Sequence, residues 1–350
     1  MTIKKLAVLA LALGIAAVSL TGCVTGKETS VAATYNGGEI PAGVYIFHQV
    51  NAINEAYNKV ANPYDDLMSQ TVDGVAFEQW VNDRALKLVK IHAATASEAA
   101  RLNINLDEVT AASIKQSIAT TWKSESASME KAGISLASAE AVALNSQLIN
   151  EVFMAYYGEG GEKAVSESEL KAFFKENYRR SLMLVLSKNN TQTGLPLNEE
   201  QLAEQKKLFE DYKTKVQSGT PLFDVIVEED NRLAALAGNT AERKPLVEAE
   251  QEVLVNKNNT AYPSGLLSDI FASTKLGTPE FYEDDNYFVI YELRDTEGDG
   301  TAFTNAKATL LNVYKGEEFQ NAMIALADSV GFTENTNATK KFKVSTLLGI

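Results

Sequence analysis

In 350 residues the chain has one cysteine, Cys23, and two histidines, His48 and His92. A single thiol excludes a disulfide framework, a CxxC redox pair and a thiolate metal cluster. Two histidines in separate segments give no zinc-ligand spacing. HExxH, GxSxG and Walker-type phosphate loops are also absent. No cofactor or metal is therefore expected. Basic residues are scarce: 32 Lys and Arg stand against 46 Asp and Glu, a net charge of −14. That balance argues against nucleic acid and against charge-driven adhesion to anionic lipid. The apolar run Leu6 to Leu20 is short for a bilayer span, which takes about 20 residues.

What is present begins at the N-terminus. Lys4 and Lys5, the apolar run and then Thr21-Gly22-Cys23 have the layout of a secretory signal over residues 1–22. Leu20-Thr21-Gly22-Cys23 resembles the lipobox of bacterial lipoproteins. That resemblance implies cleavage before Cys23 and its acylation, palmitate included. Stable anchoring takes more than one acyl chain, which a diacylated or triacylated cysteine supplies. The expected location is the extracytoplasmic face of the cell membrane, held by lipid. Losing Lys4 and Lys5 without any acid makes the mature chain still more acidic. Residues 23–32 are small and polar, a tether.

Beyond the tether, residues 33–40 suggest a short strand with a turn, and Pro41 opens a helix through Tyr45, Phe47 and Ile53. Residues 62–74 suggest a loop. Three helical stretches follow up to residue 158. One has a stripe of Phe77, Val81, Ala85, Leu88 and His92, flanked by Trp80 and Ile91. The next repeats Ile114, Ile118 and Trp122; the third has Ile149, Val152, Phe153 and Tyr156. Ser166-Glu-Ser-Glu169 is a capping box before a helix with Leu170, Phe173 and Phe174. The run 181–187 is apolar nearly throughout, as in a strand buried on both faces. Asn198 and Gln201 open another helix, and 221–227 a shorter one. Residues 229–260 carry little pattern. A short helix is expected around Leu266–Phe271, a strand over 287–293, and a long final helix with Phe319, Met323, Leu326 and Val330. The segment 342–350 suggests a last short strand.

This layout resembles extracytoplasmic foldases of the PrsA and SurA type. The segment Tyr35-Asn-Gly-Gly-Glu-Ile40 is similar to their first strand. Val165 to Tyr178 is similar to the helix that opens their parvulin-type prolyl isomerase domain. The resemblance implies an α+β fold. A mainly helical chaperone-like domain (33–165), completed by a C-terminal helix and tail (298–350), would carry an inserted parvulin-like domain over 166–297. The insert would be a small antiparallel sheet with helices.

The parvulin-like segment departs from its family where chemistry is done. Leu182 and Phe288 stand where the family has its two histidines. The nearest trace of the glycine-rich turn is Ala237-Gly238-Asn239. Phe271, Leu276, Gly277 and Pro279 match a later apolar segment. By resemblance, Leu182, Leu184, Phe271 and Phe288 are the peptide-binding candidates, and no catalytic residue is assigned. Lowering the amide-rotation barrier of about 18–20 kcal/mol needs preferential binding of the twisted amide, and the polar cluster credited with that is missing. Acidic groups at 228–230, 284–285, and Asp295 with Asp299 lack the spacing of a calcium loop.

The leading expectation is a membrane-anchored chaperone or foldase that binds unfolded or newly exported polypeptides. Tyr45, Phe47, Trp80, Trp122, Tyr156 and Tyr157 are candidates to line its cleft, and each fits an ordinary core position as well. An active isomerase with a divergent site is the enzyme alternative. A lipid-anchored binding protein is the third. The oligomeric state stays open, a dimer being one option.

Overall fold

The computed structural model describes residues 30–190, 193–238, 244–298 and 300–349. The signal segment and Cys23 lie outside the described residues, as do Asn239 and Asp299. The fold is α+β.

The chain enters through a hairpin of β1 (Val31–Tyr35) and β2 (Gly38–Pro41). Pro41 then caps α1 (Ala42–Tyr57), whose first nine residues are all buried. A helix apolar on every side must sit inside its unit. A 3₁₀ turn at Leu67–Ser69 and a minimal hairpin, β3 (Thr71–Val72) and β4 (Val75–Ala76), occupy the segment expected to be loop. Asp73 and Gly74 make its turn with φ of 51° and 80°. Asp-Gly suits the positive φ that two-residue hairpin turns demand.

Helices α2 (Phe77–Arg101), α3 (Glu108–Lys131) and α4 (Leu136–Tyr157) follow. Asp107 and Ser135 cap α3 and α4 through their side chains. In α2 the stripe Phe77, Val81 and Ala85 is buried, and it continues through Val89.

The middle of the chain starts at α5 (Glu167–Asn177). The Ser166 and Glu169 side chains cap each other's backbone there. Then come β5 (Tyr178–Ser187), α6 (Glu199–Gln217) and α7 (Leu222–Leu236). Asn198 and Gln201 form a second capping box at α6. Helix α7 runs well past the expected 227. Glu228 and Glu229 reach Lys215 and Arg232, so its polar second half is held by ion pairs. The short α8 (Glu248–Gln251), β6 (Val253–Asn256), α9 (Ser264–Ala272), β7 (Pro279–Glu283) and β8 (Tyr287–Arg294) complete this part. The four strands form one antiparallel sheet in the order β6-β5-β8-β7. Pro279, which cannot donate to a ladder, begins the edge strand β7.

Helix α10 (Thr301–Ser329) leads to β9 (Thr333–Glu334), α11 (Thr336–Thr339) and α12 (Val344–Leu348). The segment expected as a terminal strand is thus mainly helix α12. Val344 and Leu347, three apart, are both buried, and Gly349 closes α12 with a left-handed φ of 77°.

Two compact units result. One comprises residues up to Ala164 together with Lys315 onward; the other is Val165–Tyr314. In the first, β9 joins the opening hairpin as the sheet β2-β1-β9, pairing Ala33 with Glu334. Phe342 and Val344 enter the core that α1 and α2 form. In the second, the sheet separates two cores. Leu182, Leu184, Leu186 and Phe288 pack on α6 and α7. Val289, Tyr291 and Leu293 pack on Leu266 and Ile270 of α9.

Candidate functional site

Side chains alternate across a strand, so residues 182, 184 and 186 of β5 share one face. On β8, Phe288 pairs directly with Leu186. Leu182, Leu184 and Phe288 are therefore brought together, and all three are buried, beneath Phe209, Tyr212 and Val216 of α6. Phe271 is not with them. It stands on α9 at the opposite face of the sheet, with the Arg179 guanidinium 4.7 Å from its ring centre. The apolar run of β5 fits a strand packed on both faces, although Val185 on the second face stays exposed.

Behind the first face lies a polar group that no local sequence pattern marks. The Tyr212 hydroxyl donates to Glu229 at 2.9 Å, and Arg232 reaches the same carboxylate at 2.6 and 2.7 Å. Burial, then the Glu229 carboxylate, pushes the Tyr212 phenol well above its ordinary pKa. With every member paired, this cluster is structural. The acidic groups weighed for calcium are also engaged: Glu228 with Lys215, and Asp284 with the Asn286 and Tyr287 amides of the β7–β8 turn. No group of three or more His, Cys, Asp or Glu is placed to hold a metal among the described residues.

The N-terminal unit offers an open apolar surface. Of all residues in α3, only Met129 is buried. Its apolar stripe of Ile114, Ile118 and Trp122 is half-exposed. Phe47 from α1, Ile118, Thr121, Trp122, Glu125 and Met129 from α3, and Ala139 from α4 line a shallow apolar cleft at the surface. It offers apolar contact, one carboxylate and no convergent set of hydrogen-bond donors, so any contact made there is apolar and unspecific. Of the six aromatic candidates, Phe47 and Trp122 line this cleft. Tyr45 packs near Phe342 and Trp80 lies under Lys59. Tyr156 and Tyr157 join Phe153 and Phe319 in an aromatic cluster, where the Tyr157 hydroxyl donates to Glu318. Met129 continues the Ile118–Trp122 stripe at helical spacing, a signal that could have found it.

The histidines meet in the same unit. The rings of His48 on α1 and His92 on α2 lie edge to face, 5.9 Å apart. His48 is buried; His92 keeps a partly exposed edge, yet its Nδ1 is sealed from water. Burial, the partner ring and Arg84 hold His48 down at about 3, and burial holds His92 at about 4. Both rings are neutral at pH 7.

No family model matches the chain, and no curated protein matches it. Solved structures similar to it include two foldase proteins. One is the foldase protein PrsA from Streptococcus pneumoniae, at 14% identity and a TM-score of 0.37, covering 81% of this chain and 98% of that one. The other is the foldase protein PrsA from Lactococcus lactis, at 15% identity and a TM-score of 0.36, covering 90% of this chain and 99% of that one.

Proposed function

We propose that this chain is an extracytoplasmic foldase or holdase of the PrsA/SurA type, anchored to the membrane through lipid on Cys23. It binds unfolded or newly exported polypeptides in the cleft between α1, α3 and α4. The observation that carries this reading is the half-exposed Ile118–Trp122 stripe bordering that cleft. A fully buried apolar side chain is worth about 1.5–3 kcal/mol. One such anchor gives weak, readily reversed binding, which suits a protein with many clients. The net charge of −14 keeps the exterior soluble beside that apolar surface.

The Val165–Tyr314 unit is in this reading a parvulin-like module without isomerase activity. Leu182 and Phe288, at the family's histidine positions, are buried apolar side chains that offer a twisted amide no polar group of their own.

Three measurements on the chain from Cys23 onward test the proposal. It should slow aggregation of an unfolded client at near-equal molar ratio, and no slowing would refute the holdase reading. It should leave the cis–trans rate of a proline peptide unchanged; acceleration would refute the inactive module. In cells, Cys23→Ser should move the chain from the membrane to the soluble extracytoplasmic fraction, and retention at the membrane would refute the anchor.

A further inference from the structure

The only two histidines of the chain come from different helices and share one seam. Nδ1 and Nε2 of His48 and Nδ1 of His92 are buried with no hydrogen-bond partner among the described residues. One turn along α2 from His92, the Thr95 hydroxyl is also buried and unpartnered. Orphaned buried polar atoms are uncommon, and each costs free energy that the surrounding packing must offset. The two rings that carry three of these atoms face each other across the α1–α2 contact.

The charges around the pair offer a proton no welcome. Arg84 of α2 is the cation whose field reaches His48, and it is engaged with Glu55 of α1 at 2.7 and 3.0 Å. From α4, Asn145 approaches with its amide, which donates to the His92 carbonyl. Helices α11 and α12 and strands β3 and β4 carry no titratable side chain; β1 and β2 carry only Tyr35 and Glu39. No carboxylate contacts either ring among the described residues. Two imidazolium ions 5.9 Å apart, with Arg84 nearby, would repel inside an apolar seam.

We propose that the His48–His92 pair is an acid-sensitive latch: neutral rings let α1 pack on α2, and proton uptake parts the two helices and bares the apolar faces between them. Phe47, which precedes His48, lines the cleft described above, so opening would enlarge that surface. The link to client binding rests on the proposed function; the opening itself does not.

The sign follows from the depressed pKa values. Histidine in an open or unfolded segment titrates near about 6.5, so below that pH the open state binds more protons than the closed one. The closed seam keeps its full stability above that value and loses it as the pH falls. Each ring raises the opening constant about tenfold per pH unit until its closed-state value is reached.

Hydrogen exchange on the whole chain tests this, with rates corrected for the intrinsic effect of pH. Between pH 7.5 and 5, peptides from α1 and α2 should lose at least about tenfold in protection. Peptides from β5 and β8, which contain no histidine, serve as reference. In His48→Leu/His92→Leu the α1 and α2 loss should shrink to that of the reference. Equal loss in all four elements of the wild type, or undiminished loss in the double variant, overturns the proposal. If the double variant does not fold, ring-proton NMR of the wild type decides. Apparent pKa values below about 5.5 for both rings agree with the latch, and values at or above that overturn it.

Discussion

The ring of Phe288 stacks on that of Phe209, with centres 4.9 Å apart and planes at 22°. Lys188 Nζ lies 4.0 Å from the Phe288 centre, and Lys213 Nζ lies 5.9 Å from that of Phe209. Lys188 is itself fixed by Glu283 at 2.7 Å. The stack ties β8 to α6, so Phe288 is a packing keystone of its unit.

Phe288→Ala should therefore cost about 3–5 kcal/mol, the range for removing a buried phenyl ring. Urea unfolding reads this directly. The double change Leu182→His/Phe288→His should destabilise the unit as well and should restore no proline isomerisation. Measurable acceleration by that variant would show that only the two imidazoles were missing.

Trp122→Ala should cost less stability than loss of a fully buried ring, because Trp122 is partly exposed where it packs on the core. It should weaken the holding of an unfolded client roughly tenfold, the share expected of one partly buried anchor. Trp80→Ala is the control, since Trp80 lies outside the cleft. Light scattering during client refolding compares them, and equal losses in both variants would remove the cleft from the account.

The capping boxes give a smaller effect. Ser166→Ala at α5 and Asn198→Ala at α6 should each cost about 1 kcal/mol. Both changes should leave client holding intact, and chemical denaturation with near-unchanged m values should record them.

Glu167 accepts from Lys307 at 2.6 Å and pairs with Lys171 at 2.9 Å. Lys307, then Lys171, holds its carboxyl down at about 2. For a depressed carboxyl the stabilising contribution is present above the unfolded value near 4.3 and is lost as the pH falls towards 2. Glu167→Gln should flatten that part of the melting-temperature profile. Because the site is exposed, about 0.5 M salt should shrink the difference between the two proteins. A difference that persists undiminished in salt would point to a desolvated pair instead.

Much of the fold was legible because its signals are local. The stripe from Phe77 through Ala85, the two capping boxes and the apolar run of β5 all announce themselves within a few residues. What stayed hidden depends on partners far along the chain. Strand β7 opens on Pro279, and β6 carries only Val253-Leu-Val255-Asn256 between polar stretches. Both exist because β8 and β5 offer them ladders. Helix α12 resembles a short strand in sequence because its buried Val344 and Leu347 define less than one full period. The cleft was half legible: the spacing of Ile118 and Trp122 marked a face, but nothing local separates an open face from a covered one. That Phe271 lies across the sheet from Phe288 followed from where α9 packs, and the meeting of His48 with His92 from the docking of α1 on α2.

The pairing of β1 with β9 sets an order of events. The Asn335 side chain reaches the carbonyl of Val31 across 304 residues, and Gln49 reaches that of Phe342 across 293. A chain emerging from its N-terminus must hold α1 through α4 without their last strand and last helices until the final residues arrive. The Val165–Tyr314 unit is one continuous stretch that ends earlier in the chain and can finish first. The first unit to begin is thus the last to close, and a loop of that length makes closure slow. Trimming a few residues from the far end should therefore damage the near end most.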